Sequence, residues 1–423
     1  MRVLWVKADR LLPVQSGGNI RSYNILRQLA SRHEITLFSY YSGERDFDYE
    51  RALQVAFPGA VCLCTGRSDA TGLRRGVDYL VRLPARAPYA VARFTSTGVQ
   101  RRLRQWYSNR AFDVAVCDFL DATVNFPERL AIPTILFQHN VESEIWRRYC
   151  LKDSNWAKRL IYRIEFIKML RHERRMVGRF NRVMAVSEHD RKLMSAWMDA
   201  SRIVVVPTGV DLEQFHPDPS VSTLEGLVTF VGAMDWEPNI DAVEYFCTEI
   251  WPRIQVHVPG ARFRIVGRNP GPRVQRLTAP TIQVTGSVPS VVEHLRQSAV
   301  VVVPLRVAGG TRMKIYEAMA TGKAVVSSSV GAEGLDVENG RDLILADEPD
   351  AFAEAVRKLL QDREVRCRYE HAARARAAVY SWQTVSERFD PVLRSVVGES
   401  MMWVAQYAPA PKLEHGNARA RTK

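Results

Sequence analysis

Short runs of Val, Ile, Leu, Phe and Ala punctuate the chain, and between them the apolar residues fall at helical spacing. In the first part the runs lie at residues 2–6, 34–40, 60–64, 112–118, 134–138, 183–187 and 203–206. Residues 19–30 predict a helix, and residues 74–110 a mostly helical, basic stretch. Brief β-branched runs separated by helices predict a parallel sheet covered on both faces. The segment Pro207-Thr208-Gly209-Val210-Asp211 breaks the alternation, and residues 207–225, with Pro217 and Pro219, predict an interdomain linker. A second series follows, with strands at 227–231, 262–266, 282–285, 299–303, 324–327 and 343–345 and helices at 241–246, 291–297, 313–320 and 349–360. The pattern therefore predicts an α/β protein of two tandem doubly wound, Rossmann-like domains, residues 1–206 and 226–382. A helix over 383–407 is expected to return to the first domain, and a Pro-, Ala- and Arg-rich tail, 408–423, to be disordered. Ligands of such sheets bind beyond the carboxyl ends of the strands, so the site is expected in a cleft between facing domains.

Length agrees with this division, because 423 residues exceed one ordinary core. No apolar run approaches the roughly 18 residues of a membrane-crossing helix. Met1-Arg2-Val3-Leu4-Trp5-Val6-Lys7 reads as a first strand and not as a secretory leader. Cys62, Cys64, Cys117, Cys150, Cys247 and Cys367 lack metal-ligand spacing and predict free thiols in a reducing cytoplasm.

Charge adds a partner. The net charge is +13, and from Arg147 to Arg182 there are 12 Lys or Arg against 3 acids, Asp153, Glu165 and Glu173. Trp156, Leu160, Ile161, Ile164, Phe166 and Ile167 interleave with them. A basic helix with an apolar stripe suits an anionic membrane surface; the alternative is a domain-packing helix with a solvated basic face. Nucleic acid is not expected, because no helix-turn-helix, zinc or RNA-recognition signature occurs.

The chemistry concentrates in Gly309-Gly310-Thr311-Arg312-Met313-Lys314-Ile315-Tyr316-Glu317. It reads as a strand, a glycine loop and a helix start. Unpaired N–H groups and the helix dipole favour an anion there, glycines allow close approach, and Arg312 and Lys314 suit phosphate oxygens. Glu317, one turn into the helix, is placed to accept hydrogen bonds from sugar hydroxyls. A nucleotide-sugar has that combination of diphosphate and hydroxyls. The alternative is a solvated loop with Glu317 in a helical ion pair. Ser16-Gly17-Gly18, before the helix that contains Arg21, is a second anion seat or a plain tight turn.

With Gln138-His139-Asn140, the 206–211 segment and Gly232-Ala233-Met234-Asp235-Trp236-Glu237-Pro238-Asn239, these motifs resemble family 4 glycosyltransferases of the GT-B fold over residues 1–382. Within that family they are most similar to sugar transferases of bacterial exopolysaccharide clusters. The resemblance implies that Gly17 and Gly18 border the donor diphosphate and that His139 hydrogen-bonds the transferred sugar. It also implies that Gly232 lets phosphate approach, that Arg268 lies near the nucleotide base and that Glu317 binds the ribose. Two departures stand out. Ala233 and Pro238 occupy positions where much of the family has Arg and Lys for the donor phosphates, which leaves Arg312 and Lys314 as replacements. The first Glu of the family's Glu-X7-Glu motif falls on Gly309, so backbone N–H groups of Gly309, Gly310 and Thr311 are expected to face the donor sugar.

The expected activity is transfer of a sugar from a nucleotide diphosphate sugar to an acceptor hydroxyl, with retention implied by the resemblance alone. His139, Arg312, Lys314 and Glu317 are the expected catalytic group, with no metal and no cofactor beyond the donor. The acceptor is expected to be a glycan or lipid-linked glycan of exopolysaccharide synthesis, on the cytoplasmic side and peripheral to the membrane. The alternatives are a noncatalytic scaffold subunit of a polysaccharide complex, motivated by the lost Glu, and a nucleotide-sugar epimerase. A nicotinamide dehydrogenase is disfavoured, because no Gly-X-Gly-X-X-Gly follows any strand.

Overall fold

The computed structural model describes residues 1–66, 73–152, 156–307 and 312–407, so the expected glycine contacts of Gly309, Gly310 and Thr311, and the tail from 408, lie outside the described residues. The first domain runs β1 (Arg2–Ala8), α1 (Gly17–Ala30), β2 (Glu34–Tyr41), α2 (Phe47–Ala56), β3 (Val61–Cys64), α3 (Leu73–Arg82), α4 (Tyr89–Ala92), α5 (Thr97–Ser108), β4 (Val114–Asp118), a 3-10 turn (Leu120–Asn125), β5 (Thr134–Phe137), α6 (Glu142–Lys152), α7 (Trp156–Arg179), β6 (Arg182–Ala185), α8 (Glu188–Met194) and β7 (Ile203–Val205). The second runs β8 (Leu227–Val231), α9 (Glu237–Tyr245), α10 (Trp251–His257), β9 (Arg262–Val266), α11 (Pro272–Gln275), β10 (Ile282–Val284), α12 (Val292–Gln297), β11 (Val300–Val303), α13 (Met313–Ala320), β12 (Ala324–Ser327), α14 (Ser329–Ala332), β13 (Ile344–Leu345), α15 (Pro349–Gln361) and α16 (Arg363–Ala378). A last helix, α17 (Trp382–Tyr407), follows.

Both sheets are parallel, in the orders β3-β2-β1-β4-β5-β6-β7 and β10-β9-β8-β11-β12-β13. Their central strands, such as Leu227–Val231 and Val300–Val303, are buried throughout, as strands covered on both faces must be. The chain order reverses between β1 and β4 and between β8 and β11. Those are the switch points where a doubly wound sheet leaves a crevice at its carboxyl edge.

Strands occupy all thirteen places that the apolar runs predict. The stretch at 74–110 is less continuous than expected. Pro84 and Pro88 separate α3 from α4, because proline supplies no N–H and clashes with the preceding turn, and α5 starts afresh at Ser96, whose side chain accepts from Val99 N–H. The basic region from Arg147 likewise forms two antiparallel helices. Tyr149 meets Tyr162 near one end, and the N–H groups of Glu142 and Ser143 donate to Glu173 near the other.

The chain crosses between the domains twice, side by side. Val210 N–H donates to Tyr380 O at 2.8 Å, and Gly209 lies against Trp382. Beyond this crossing α17 packs on the first domain, where Phe389 stacks on Trp5 at 5.4 Å between ring centroids.

A Cβ at Gly209 would stand 2.5 Å from the Trp382 ring. Gly209→Ala is expected to cost about 1–3 kcal/mol, the usual scale for overpacking. In a denaturation cycle with Trp382→Leu the double variant should lose less than the sum of the singles; strict additivity would exclude the clash.

Candidate active site

At the carboxyl edge of the first sheet, parallel pairing sets Lys7 of β1 beside Asp118 of β4. Asp118 is fully buried, with Lys7 Nζ at 3.7 Å. Trp5 Nε1 donates to it at 3.1 Å and His139 Nε2 at 2.7 Å. Burial would raise this carboxyl, but Lys7, the His139 bond and Ser22 outweigh it and hold it at about 2. Arg21 Nη1 donates to His139 Nδ1 at 3.0 Å. Nδ1 therefore carries the lone pair and Nε2 the proton. Burial, aided by Arg21 and Lys7 against the pull of Asp118, lowers the imidazole to about 4, so the ring is neutral near pH 7. Phe119 stacks on it at 3.6 Å and 3°.

Two of the expected site residues, His139 and Gly18, are fixed by this arrangement. Both nitrogens of His139 are engaged within the protein, by Arg21 and Asp118, and the ring is buried. Gly18 is set by packing: a Cβ there would lie 2.2 Å from the Phe119 ring. Phe119 itself has φ 70°, a left-handed backbone uncommon for a bulky residue. A side chain held against its backbone preference at a carboxyl edge is a feature of built sites.

Gly17, the first residue of α1, faces the other domain. A Cβ built on it would lie 3.7 Å from Met313 Sδ, at the start of α13. The N-termini of two helices thus meet across the cleft. Beside them is a cavity of about 770 Å³, whose walls include Asn24, Gly232, Arg268, Met313 and Glu317.

Gly232 follows β8 directly. Its N–H donates to Val266 O at 2.9 Å, and a Cβ at Gly267 would meet Gly232 O at 1.7 Å, so the two loops touch backbone to backbone. Lys314 Nζ reaches under this loop, 2.8 Å from where a Gly232 Cβ would stand and 2.8 Å from Asn239 Oδ1. Asn239 Nδ2 donates to Ala233 O at 2.9 Å, so Asn239 fixes both loop and lysine. Burial and then Arg312 push Lys314 down to about 7, against Glu317. Burial pushes Glu317 up to about 7, against Lys314. Arg268 spans the cleft to Gln15 Oε1 at 2.9 Å.

Arg312 stands apart from the cavity wall. It is buried, and burial lowers it to about 10, so it stays charged, in the field of Glu333, Arg148 and Asp190. Those residues form a second bridge between the domains, in which Arg148 Nη2 donates to Glu333 Oε1 at 2.8 Å.

The structure therefore brings Gly17, Gly232, Lys314 and Glu317 to one place with Arg268 at its rim, and sets His139 and Arg312 behind it. Sequence reasoning missed Asp118, Phe119, Asn239 and Gly267. A glycine directly after a buried strand was a readable signal for Gly267. Asp118 closes an apolar run, which could have marked a strand end, but its partners are distant in sequence. Among the described residues no group of His, Cys, Asp and Glu is placed to hold a metal ion.

Comparison with known proteins gives consistent results. A family model described as Glycosyltransferase Family 4 matches residues 15–214, and one described as Glycosyl transferases group 1 matches residues 225–362. An uncharacterized 44.6 kDa protein in the cps region of Klebsiella pneumoniae is 20% identical over 371 residues, 84% of this chain and 90% of that one. Phosphatidyl-myo-inositol mannosyltransferase of Mycolicibacterium smegmatis is 28% identical over 238 residues, 54% of this chain and 59% of that one. The solved structure of Anabaena HepE with UDP and glucose superposes with a TM-score of 0.65 at 14% identity, covering 93% of this chain and all (100%) of that one. Sucrose-phosphate synthase from Thermosynechococcus elongatus gives 0.70 at 14% identity, covering 94% and 100%. The structural likenesses show a shared two-domain fold.

The buried His139 is expected to keep the neutral Nε2–H form from pH 8 down to pH 5, because its pKa lies near 4 and protonation occurs only below that. Ring nitrogen shifts in NMR, assigned with His139→Gln, should stay constant over that range. A titration centred near the ordinary value of about 6.5 would show that the ring is open to water.

Proposed function

This chain belongs to the family 4 glycosyltransferases, with the GT-B fold and a nucleotide-sugar donor, and from that premise we propose how its own residues carry the transfer. The observation that carries the proposal is the meeting of the α1 and α13 N-termini at Gly17 and Met313, beside Gly232 and Lys314. A donor diphosphate placed there is faced by two helix dipoles and the lysine. Glu317 accepts from the ribose hydroxyls, as the resemblance implies. Arg312, charged and buried behind the helix start, adds a field on the leaving diphosphate.

As the diphosphate departs, positive charge at the helix termini and Lys314 stabilises it, in the role that a metal ion plays elsewhere. The acceptor proton passes to the leaving phosphate, so the mechanism requires no protein base, and the configuration is retained. His139 acts as a positioning residue. Through Phe119 it props Gly18 and so fixes where α1 begins. Cleft closure excludes water, which limits hydrolysis of the donor.

The acceptor is a glycan or a lipid-linked glycan of exopolysaccharide synthesis. Among the described residues no helix is long and apolar enough to cross a membrane. On the first domain, however, Trp156 (79% exposed), Leu160 and Ile161 of α7 stand out beside Lys158, Arg159 and Arg163. Val77, Leu80 and Val81 of α3 are exposed as well. This combination favours peripheral contact with anionic lipid. Wild type should sediment with phosphatidylglycerol vesicles at low salt, and Trp156→Glu/Leu160→Glu should remain in solution. Equal behaviour of the two proteins removes the membrane contact.

For the donor, a panel of nucleotides and nucleotide-sugars is expected to raise the melting temperature through one nucleotide series. Arg312→Ala/Glu317→Ala should abolish that stabilisation. The same series should support turnover that EDTA leaves unaltered, with retained anomeric configuration in the product by NMR. A well-folded protein stabilised by no member would refute the transferase mechanism.

The pair of groups near pKa 7 also sets a proton count. A bound diphosphate raises Lys314, so binding between pH 7 and 8 takes up a proton. Calorimetry in buffers of different ionisation enthalpy should detect the uptake in Glu317→Gln and lose it in Lys314→Met.

A further inference from the structure

The second half of α7 lines a groove that shares no residue with the donor cleft. Its volume is about 830 Å³, and its other walls are the segment after α3, the end of α4 and the 3-10 turn that follows β4. Lys168, Arg171, Arg175 and Arg179 recur every three or four residues along the α7 wall, and Arg86 stands on the opposite side. Glu128 is the single carboxylate of the lining.

The charge there is poorly balanced from within. Among the described residues, Arg171 and Arg175 have no carboxylate at ion-pair distance, and both are exposed. Like charges one helical turn apart repel, so such a stripe is destabilising unless something neutralises it. The acids that composition places in this helix do not help. Glu173 is buried, accepting from Gln138, Glu142 and Ser143, and buried Glu165 accepts from Tyr89 N–H. Glu165 is also 3.9 Å from Lys168.

His172 lies between these cations. The Thr123 hydroxyl donates to Leu120 O at 2.6 Å, so the 3.1 Å contact with His172 is donated by Nε2–H. The remaining nitrogen, Nδ1, takes any further proton. Burial, with Arg175 and Arg179, lowers this imidazole to about 4. The inner wall, the 3-10 turn Leu120–Asn125, starts two residues after Asp118, at the carboxyl edge of the first sheet.

We propose that this groove is a second anion-binding site, which takes a phosphate-bearing group of the acceptor apart from the donor diphosphate. Only the word acceptor rests on the transferase reading; the anion site stands on the groove itself. Guanidinium groups at helical spacing match phosphate oxygens in charge and in hydrogen-bond geometry. Such a contact, remote from the transferred sugar, holds the acceptor chain while its hydroxyl reaches the cleft.

The test follows the ring signals of His172, assigned with His172→Gln, during titration with inorganic pyrophosphate. Wild type should show a saturable shift, and the anion should raise the pKa of His172. Arg171→Gln/Arg175→Gln should weaken the response on the order of tenfold or more, the loss expected for a charged hydrogen bond. Arg86→Gln should weaken it from the opposite wall. Vesicles separate the sources. Phosphatidylglycerol vesicles that perturb His172, bind the arginine variant less well and are displaced by pyrophosphate identify a lipid headgroup. A response to pyrophosphate without one to vesicles identifies a phosphate carried on a soluble or glycan acceptor. Signals indifferent to both probes overturn the site. The nucleotide melting shift stays as an independent readout: if it is intact while His172 is silent, the groove alone fails, and if it is absent while His172 responds, the donor mechanism alone fails.

Discussion

A buried carboxylate organises the first domain's half of the site. Asp118 stands where β1 and β4 part to open the crevice, with Lys7 at 3.7 Å, Trp5 at 3.1 Å and His139 at 2.7 Å. Its charge is sustained only because each neighbour contributes a cation or a donor. A buried ion left without its partner costs several kcal/mol. Through His139 it orients Arg21 and Phe119, and through Phe119 the start of α1. The position of one helix N-terminus in the cleft therefore follows from a charge buried behind it.

The second half of the site is built differently. Backbone contact does there what side-chain charge does in the first domain. Gly267 and Gly232 touch, Asn239 holds the loop, and Lys314 lies beneath it. Two of the contacts where the halves meet are light. Arg148–Glu333 and Arg268–Gln15 are partly exposed polar contacts, and such contacts are worth about 1 kcal/mol or less. The Val210–Tyr380 hydrogen bond ties the two chain crossings to each other.

The sequence made the architecture legible because each strand is a local apolar run and each interruption a local run of proline or glycine. The glycine loop and helix at 309–320 were legible for the same reason. Asp118 was not, because its meaning comes from pairing with Lys7, 111 residues earlier, and strand register is a property of the assembled sheet. The packing of Gly18 was not legible, since nothing local announces the Phe119 ring beneath it. The partners of His139 were not legible either, since neither Arg21 nor Asp118 is near it in sequence. Counting charges misjudged α7 too, since Glu165 and Glu173 are turned inward and its outer face is more basic than its composition. Local pattern specifies elements; the site depends on which elements become neighbours.

The packing of α17 has a consequence for how the protein is made. Phe389 stacks on Trp5 and meets Phe137 at 5.4 Å. The domain that β1 begins is therefore completed by α17, which follows the whole of the second domain in the chain. Until α17 emerges, the nascent first domain presents an open apolar seam of Trp5 and Phe137, while the second domain, with its core assembled from its own strands and helices, can already close. The order of synthesis is thus the reverse of the order of completion, and a chain cut short of Trp382 leaves the ribosome with a finished second domain and an unfinished first.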